Sequence, residues 1–330
     1  MDDWRPEVAG RGVVCGICPR SCRLEEGGVG ACRARRRTGG RIVPTAYGRP
    51  CAVQIDPVEK KPLFHFLPGC SVLSIGTAGC NLTCRNCQNA DISQASPDET
   101  PARRLAPAEL AALAKEHGVP AVAYTYTEPL VAFEYVRDCA RAVRAAGLAN
   151  VLVSAGYVNP GPLAELLPLI DAANIDLKTM SEEGYLRNCG VHRNPVLATL
   201  RTLAQSDAVL EVTNLVIPGF NDSDGDLRDW CGFVADELGA DVPVHFSRFF
   251  PRHLMTDRPA TPVSTIRRAL RTAAESGLHY AYSGNTDEEE CTLCPRCGAR
   301  LVVRRGFDVL AEIIENGRCP GCGGAIYGRF

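Results

Sequence analysis

The sequence lacks the features that would place the protein in a membrane or on nucleic acid. No apolar run in its 330 residues approaches the roughly 18–20 residues that a membrane-spanning helix needs. The formal net charge is −2, so no overall field attracts nucleic acid or an anionic membrane. The first ten residues, MDDWRPEVAG, are acidic and polar and are not typical of a signal peptide. We therefore expect a soluble cytoplasmic protein with no membrane contact and no strong nucleic-acid signal.

Cysteine, in contrast, is abundant. The chain has an ordinary 45% of hydrophobic and 22% of charged residues, but its 17 cysteines are many for a cytosolic protein. Disulfides are disfavoured in that compartment, and the cysteines recur as C-x2-C and C-x3-C, which favours metal binding. Five isolated cysteines are instead expected to be small buried hydrophobic side chains; they are Cys51, Cys70, Cys139, Cys189 and Cys231.

The most informative cluster is the triad Cys80, Cys84 and Cys87 in the segment GCNLTCRNCQN. The preceding SVLSIGTAGC predicts a short strand that enters a loop containing glycine. Four cysteines usually close an iron–sulfur cluster, so three would leave one iron of a [4Fe–4S] cluster open to a non-protein ligand. Zinc is the alternative, but a structural zinc site usually needs four protein ligands, and no fourth Cys or His lies nearby in sequence. The spacing therefore predicts a [4Fe–4S] cluster.

A second cluster lies near the N-terminus in CGICPRSCRLEEGGVGAC. Its four members, Cys15, Cys18, Cys22 and Cys32, are enough to close a metal site. Zinc and an auxiliary [4Fe–4S] cluster are both chemically reasonable there. A structural role is the preferred interpretation, and a cluster that relays electrons or faces the substrate is the alternative.

A third cluster lies near the C-terminus as two C-x2-C pairs, Cys294 with Cys297 and Cys319 with Cys322. Two such pairs at this separation are typical of a zinc ribbon. So short a segment buries little apolar surface, so the metal is expected to supply its folding energy. Cys291 adds a fifth thiol that either competes for the metal or stays free. We expect a structural or partner-docking module.

The chain divides into three predicted regions, residues 1–70, 71–286 and 287–330. The first is the small N-terminal cysteine-cluster segment and the last is the zinc-ribbon-like module. The middle region alternates strands and helices, which predicts an α/β fold with a parallel sheet in a full or partial (β/α) barrel. Active sites of such barrels lie at the carboxyl ends of the strands, where Cys80 is expected. The predicted strands are 72–75, 122–128, 150–156, 174–178, 209–218, 242–250 and 279–284; the predicted helices are 107–118, 130–147, 195–206, 226–239 and 264–277.

The triad resembles the motif of the radical S-adenosylmethionine (SAM) enzymes. Further segments are similar, in order, to the pyruvate formate-lyase activating enzyme-like branch of that family. Within that branch, the chain most resembles the radical SAM enzyme of the AmmeMemoRadiSam system. The segments are EKKPLFHFLPG (59–69), GCNLTCRNCQNADIS (79–93), YTYTEP (124–129), IDLKTM (175–180), NLVIPGFND (214–222), HFSRFFPRHLMTDRPATP (245–262) and GLHYAYSGN (277–285).

The resemblance implies a radical SAM barrel and a reaction. The open iron would bind SAM, and one electron from a donor such as a flavodoxin or ferredoxin would cleave it to methionine and a 5′-deoxyadenosyl radical. That radical would take a hydrogen atom from a substrate, either a protein, as in activases, or a small molecule or nucleic acid. Memo-like and AMMECR1-like proteins are implied as partners. A non-catalytic module that holds RNA or a protein through iron–sulfur or zinc sites is the alternative of a different class.

The resemblance also implies cofactor-binding roles for polar residues near predicted strand ends. Glu128, expected to end the second strand, lies in a segment that grips the methionine amino group in relatives. Asp176 and Lys178 belong to a segment used around the SAM ribose and carboxylate. Ser154 and Asn214 are the candidates on the third and fifth strands. The alternative for each is a polar residue that satisfies a strand end.

Three further positions complete the candidate site. Asn86 stands where relatives commonly carry an aromatic residue beside the adenine, and an amide does not stack in the same way. Adenine would then contact neighbouring apolar residues or hydrogen-bond to Asn86. His245 and Arg248 on the sixth strand are candidates for contact with substrate or SAM. His65 is expected to be a packed histidine.

Overall fold

The computed structural model describes residues 8–9 and 12–330, so most of MDDWRPEVAG, and the expectation attached to it, lies outside the described residues. The N-terminal region contains one antiparallel three-stranded sheet and one hairpin. Their strands are β1 (Val8–Ala9), β2 (Gly12–Val14), β3 (Arg23–Leu24), β4 (Arg35–Thr38) and β5 (Arg41–Pro44). The first cysteine cluster lies between β2 and β4.

An eight-stranded sheet forms the centre of the protein. Its strands are β6 (Ala52–Pro57), β7 (Ser71–Gly76), β8 (Ala121–Tyr124), β9 (Ala149–Ser154), β10 (Ala172–Asp176), β11 (Val209–Val216), β12 (Val244–Arg248) and β13 (Ala281–Gly284). Strands β7 to β13 are parallel and adjacent in chain order, and β6 pairs antiparallel with β7. Within the described residues β6 and β13 form two open edges. The α/β fold is thus confirmed in its partial-barrel form.

Helices cover the parallel strands, and local sequence explains where they begin and end. They are α1 (Ala90–Ser93), α2 (Pro107–Glu116), α3 (Phe133–Ala145), α4 (Pro160–Leu166), α5 (Glu182–Cys189), α6 (Asn194–Ala204), α7 (Asp224–Phe233) and α8 (Val263–Glu275). Helix α7 begins at a capping box in which the Asp226 N–H donates to Ser223 Oγ and the Ser223 N–H donates to Asp226. Helix α5 ends at Gly190, whose φ of 67° is the left-handed geometry common after a helix.

The main core lies between the sheet and these helices. Strands β7 to β12 are largely apolar and buried, as expected where both faces of a parallel sheet are covered. Trp230 on α7 packs against Phe246 on β12 at 5.2 Å between ring centroids. Among the described residues, no helix is long and apolar enough to cross a bilayer.

The C-terminal module is an antiparallel sheet of β14 (Glu289–Leu293), β15 (Arg300–Arg305) and β16 (Asp308–Glu312). Leu301 and Val302 pack with Phe64 and Tyr282 of the barrel. Arg304 is fully buried and donates to the Phe64 carbonyl at 2.5 Å, so a guanidinium group also joins the module to the barrel.

The predicted strands agree with the structure apart from their ends. The strand predicted over 122–128 ends at Tyr124, because Tyr126 adopts a φ of 70° and turns the chain. Helices α1, α4 and α5 were not expected. Cys139 and Cys231 are buried as predicted, whereas Cys51 and Cys70 are partly exposed. The three-region division stays a prediction, although β6, before its boundary at residue 70, belongs to the central sheet.

Candidate cofactor site and metal centres

A cavity of about 870 Å³ opens at the carboxyl ends of the parallel strands. Cys80, Cys84 and Cys87 line it from the loop that follows β7. This loop is anchored to the end of α5, because the Thr83 N–H donates to the Cys189 carbonyl at 2.9 Å and the Arg85 N–H to the Asn188 carbonyl at 3.0 Å. The three thiols therefore share a wall of a cavity large enough for a cofactor and part of a substrate.

Each thiol of the triad has a different environment. Cys80 accepts from the Leu82 N–H at 3.3 Å, and burial raises the pKa of Cys80 well above its ordinary value. Cys87 lies 3.2 Å from Ser93 Oγ. A hydrogen bond from the neighbouring Cys189 thiol lowers the pKa of Cys84.

Cys189 therefore has a neighbour that sequence reasoning missed. It was expected to be only a small buried side chain, and it is fully buried. Its backbone carbonyl accepts from Thr83, next to Cys84, and its thiol affects the pKa of Cys84, although Cys189 does not line the large cavity. No sequence motif links Cys189 to the triad, since the contact depends on where α5 ends.

Glu128 lines the same cavity but does not end a strand as predicted. It caps the short 3₁₀ turn Pro129–Ala132, four residues beyond β8. Its buried carboxylate accepts from Ser154 Oγ at 2.8 and 3.0 Å, from the Ala155 N–H at 2.9 Å and from the Leu130 N–H at 3.1 Å. Burial nevertheless raises the pKa of Glu128 above its ordinary value. No basic side chain pairs with it among the described residues, so a cation in the cavity would find an uncompensated carboxylate there.

Asp176 and Lys178 lie together on the neighbouring part of the wall. Asp176 ends β10, and Lys178 Nζ donates to Asp176 Oδ2 at 2.9 Å. Burial alone would lower the pKa of Lys178, but the negative charge of Asp176 outweighs it and raises that pKa well above the ordinary value. Both residues line the cavity, as does Ser154 at the end of β9. The predicted neighbours of a SAM-sized ligand are thus brought together around one space.

The other predicted residues differ in position. Asn86 is buried on the cavity wall and accepts from Asn188 Nδ2 at 3.0 Å. Asn214 and Arg248 do not line the cavity. Asn214 Nδ2 donates to the Leu177 carbonyl at 3.0 Å, so Asn214 fixes the backbone just before Lys178.

A buried polar network supports the floor of the cavity. His245 lines it and contacts Glu211 at 2.7 Å. His65, predicted to be packed, is fully buried between Tyr282 and the Tyr327 carbonyl, and burial lowers its pKa to about 4. Glu211 also accepts from the His65 N–H at 2.7 Å. Sequence reasoning missed Glu211, which lies inside an apolar strand.

The C-terminal module contributes to the cavity rim, which the sequence did not indicate. Gly306 and Phe307, at the turn between β15 and β16, line the cavity, and Phe307 is about half exposed at 48%. A ligand entering the cavity would pass this turn.

The four C-terminal thiols form a compact group. Cys294 Sγ lies 3.6 Å from Cys322 Sγ, and Cys297 Sγ lies 3.7 Å from Cys319 Sγ. Tetrahedral zinc with Zn–S bonds of about 2.3 Å separates its sulfurs by about 3.8 Å, which these thiols match. Burial opposes ionisation of Cys294, but backbone N–H groups outweigh it and lower the pKa to about 7. Cys291 is not part of this group.

The four N-terminal thiols are arranged differently. Cys15, Cys18, Cys22 and Cys32 line one small cavity of about 10 Å³. Throughout residues 12–330, only the C-terminal four form a group of three or more ligand atoms that all lie within 4.8 Å of one another. The N-terminal four and the triad are thus both more widely spaced than the C-terminal four.

Comparisons with family models, protein sequences and solved structures each find proteins similar to this chain. The model of the radical SAM superfamily matches residues 74–231. An uncharacterized protein of Methanocaldococcus jannaschii is 42% identical over 318 residues, which cover 95% of each chain. Pyruvate formate-lyase 1-activating enzyme of Escherichia coli is 29% identical over 111 residues, which are 33% of this chain and 45% of that enzyme. The structure of SuiB from Streptococcus suis bound to S-adenosylmethionine shares the fold, with a TM-score of 0.51, 12% identity, and coverage of 69% of this chain and 53% of SuiB.

Proposed function

This chain belongs to the radical SAM superfamily, and we propose that it cleaves SAM reductively to remove a hydrogen atom from a substrate. The observation that carries the proposal is the triad. Cys80, Cys84 and Cys87 share one wall of a ligand-sized cavity and are spaced too widely for a single small ion. Three such thiols suit a [4Fe–4S] cluster with one iron open to SAM. Reduced, that cluster would supply the electron that splits SAM into methionine and the 5′-deoxyadenosyl radical.

The residues around the triad would bind and orient SAM by charge. Six carboxylates and three lysines line the cavity, which gives it a negative balance; they are Glu59, Glu128, Asp176, Asp287, Glu288, Glu290, Lys60, Lys61 and Lys178. SAM carries a sulfonium and an ammonium group against one carboxylate, so this balance favours it. Glu128 would face the ammonium group, and Lys178 the methionine carboxylate.

Adenine would be held without the aromatic residue that relatives carry. Asn86 donates no hydrogen bond within the described residues, and its Oδ1 accepts from Asn188. The free N–H₂ group of Asn86 would therefore donate to an adenine nitrogen. Ser93 and Leu82 beside it would complete this end of the site.

The class of substrate that we favour is a protein, as for activases. The support is the width of the cavity, which leaves room beside SAM, and the similarity to an activating enzyme over a third of the chain. A small molecule or nucleic acid modified by the same chemistry is the second candidate. Three other assignments are also proposals. They are a role in the AmmeMemoRadiSam system with Memo-like and AMMECR1-like partners, a flavodoxin or ferredoxin as electron donor, and a cytoplasmic location.

The C-terminal four thiols would bind zinc, since their sulfur separations match its tetrahedral geometry. Phe307 is carried by the same module, so the metal would hold one part of the cavity rim in place.

Substrate is tested by isotope transfer. Reconstituted enzyme is incubated anaerobically with SAM, a reductant and candidate proteins that were produced in cells supplied with deuterated glycine. Deuterium transferred from one of these proteins into 5′-deoxyadenosine would identify a protein as the substrate. If no protein transfers deuterium but a deuterated small molecule does, the substrate is a small molecule. If wild type with a full cluster forms no 5′-deoxyadenosine with any reductant, the enzyme proposal fails and the non-catalytic module is favoured.

A further inference from the structure

The N-terminal four thiols surround a space that a zinc ion does not fill. Zinc at about 2.3 Å from each sulfur would require sulfur separations of about 3.8 Å. The C-terminal four meet this requirement at 3.6 and 3.7 Å. No three of Cys15, Cys18, Cys22 and Cys32 lie mutually within 4.8 Å. Both sites belong to the same chain in the same structure, so their sulfur separations can be compared directly.

The wide spacing is built into the local backbone. Cys15 and Cys22 flank a hairpin, where the Cys15 N–H donates to the Cys22 carbonyl at 2.9 Å. Cys18 lies in the turn of this hairpin, which Ser21 closes with a left-handed φ of 45°. Cys32 comes from the following loop. A void of about 10 Å³ between the four thiols admits about one water-sized body, so the centre of the group is open.

Charge around the void suits an anionic cluster. Arg20 and Arg35 both line it. Arg35 is paired with Glu134 at 2.6 Å, whereas Arg20 forms no ion pair among the described residues. Arg20 instead donates to the carbonyls of Asn81 and Gly190, which keeps its guanidinium group beside the thiols.

The void lies directly behind the triad loop. Arg20, which lines the void, donates to the Asn81 carbonyl, and Asn81 is next to Cys80 in the chain. Gly79 packs so closely on the N-terminal loop that a Cβ there would lie 2.5 Å from the Cys32 carbonyl oxygen. None of the N-terminal four lines the large cavity, so a group bound by them would face the triad and not the substrate.

We propose that Cys15, Cys18, Cys22 and Cys32 bind a second [4Fe–4S] cluster that exchanges electrons with the cluster on the triad. One electron passes from the reduced N-terminal cluster to the oxidised triad cluster, and no bond forms or breaks. An external one-electron reductant, dithionite in the test below, restores the N-terminal cluster. Cys18 and Cys22 are half-buried, which leaves this site near the surface where a donor reaches it. The exchange rests on the proposed function, whereas the cluster itself does not.

The test separates the two sites by substitution. In the variant Cys80→Ala/Cys84→Ala/Cys87→Ala, only the N-terminal site is left to hold iron. After anaerobic reconstitution we expect about four irons and one zinc per chain, and an electron paramagnetic resonance signal on reduction by dithionite. Wild type should hold about eight irons. The control Cys297→Ser should lose the zinc and keep all the iron.

The opposite results are equally clear. Two zinc ions and no iron in the triad variant would overturn the proposal, as would an N-terminal site that holds neither metal. Because 5′-deoxyadenosine formation by wild type is measured separately, either result leaves the proposed function standing.

Electron exchange between the two clusters has its own test. The paramagnetic resonance spectrum of fully reduced wild type should show coupling that is absent from the sum of the spectra of the triad variant and Cys22→Ser. A spectrum equal to that sum would refute the adjacent cluster pair. If Cys22→Ser does not fold, the power dependence of the wild-type signal relative to the triad variant provides the same test.

Discussion

Replacing Glu128 with Gln removes a buried negative charge and keeps the side-chain shape. In the structure the carboxylate accepts hydrogen bonds from Ser154, Ala155 and Leu130 but has no cationic partner among the described residues. A SAM ammonium group would supply that partner. A hydrogen bond to a charged group contributes about 1.5–3 kcal/mol, so Glu128→Gln should weaken SAM binding about 10- to 150-fold.

Binding is measured by anaerobic equilibrium dialysis with reconstituted protein. Glu128→Asp keeps the charge and should recover part of the affinity. Glu165→Gln is the matched control, since Glu165 pairs with Arg137 on the outer helices and does not line the cavity. Its affinity should stay within about twofold of wild type, because loss of a remote surface pair has a small effect. Thermal unfolding checks that each variant is folded.

The same carboxylate predicts a pH dependence. Burial raises the pKa of Glu128 in the ligand-free protein, and binding a cation favours its ionised form. As the pH is lowered, SAM affinity should therefore begin to fall at a pH above the ordinary Glu pKa of about 4.3. Glu128→Gln should not show this decrease. If Glu128→Gln binds SAM as wild type does, or has the same pH profile, Glu128 does not contact the ammonium group.

Three further predictions concern the surroundings of the site. Cys189→Ala removes a thiol that lowers the pKa of Cys84, so the triad cluster should become harder to reduce in a redox titration. An unchanged reduction potential would show that Cys189 does not influence the cluster. Arg304→Met leaves Glu59 buried without its cation 3.9 Å away and should lower the free energy of unfolding by about 3–5 kcal/mol in urea. Burial raises the pKa of Glu59 in the folded state, so the destabilisation by Arg304→Met should grow as the pH rises above the ordinary Glu pKa. Adding Glu59→Gln to Arg304→Met should reduce the destabilisation. If the two substitutions instead have additive effects on the free energy of unfolding, Glu59 and Arg304 are not coupled. Cys297→Ser should release zinc and increase proteolysis of residues 287–330, and a fully folded zinc-free module would contradict a structural role.

The strands were predictable because each is a short buried apolar run that ends near a glycine, a proline or a polar turn. The cavity-lining positions of Ser154 and Asp176 followed from the rule that parallel strands end at one side of the sheet. The position of Glu128 did not, because the alternating YTYT looks like a strand. Gly76 allows the close turn there, since a Cβ would lie 2.9 Å from the Thr125 carbonyl oxygen.

What sequence could not provide was contact between distant segments. Cys189 reaches Cys84 only because α5 ends beside the triad loop. Phe307 reaches the cavity only because Arg304 and an apolar patch seat the C-terminal module on the barrel. Metal identity is similar, since C-x2-C spacing alone permits both zinc and iron. Our metal proposals rest instead on the separation between the sulfurs, which is a property of the fold.

Formation of 5′-deoxyadenosine tests the central claim most directly. Wild type, Cys84→Ala and the buried core control Cys231→Ala are reconstituted with iron and sulfide, reduced anaerobically in the presence of SAM, and analysed by liquid chromatography with mass spectrometry. We predict 5′-deoxyadenosine and methionine in equal amounts from wild type and Cys231→Ala, and none above background from a folded Cys84→Ala. Equal product from Cys84→Ala, or none from wild type with a full cluster, would contradict the assignment of the triad as the SAM-cleaving site.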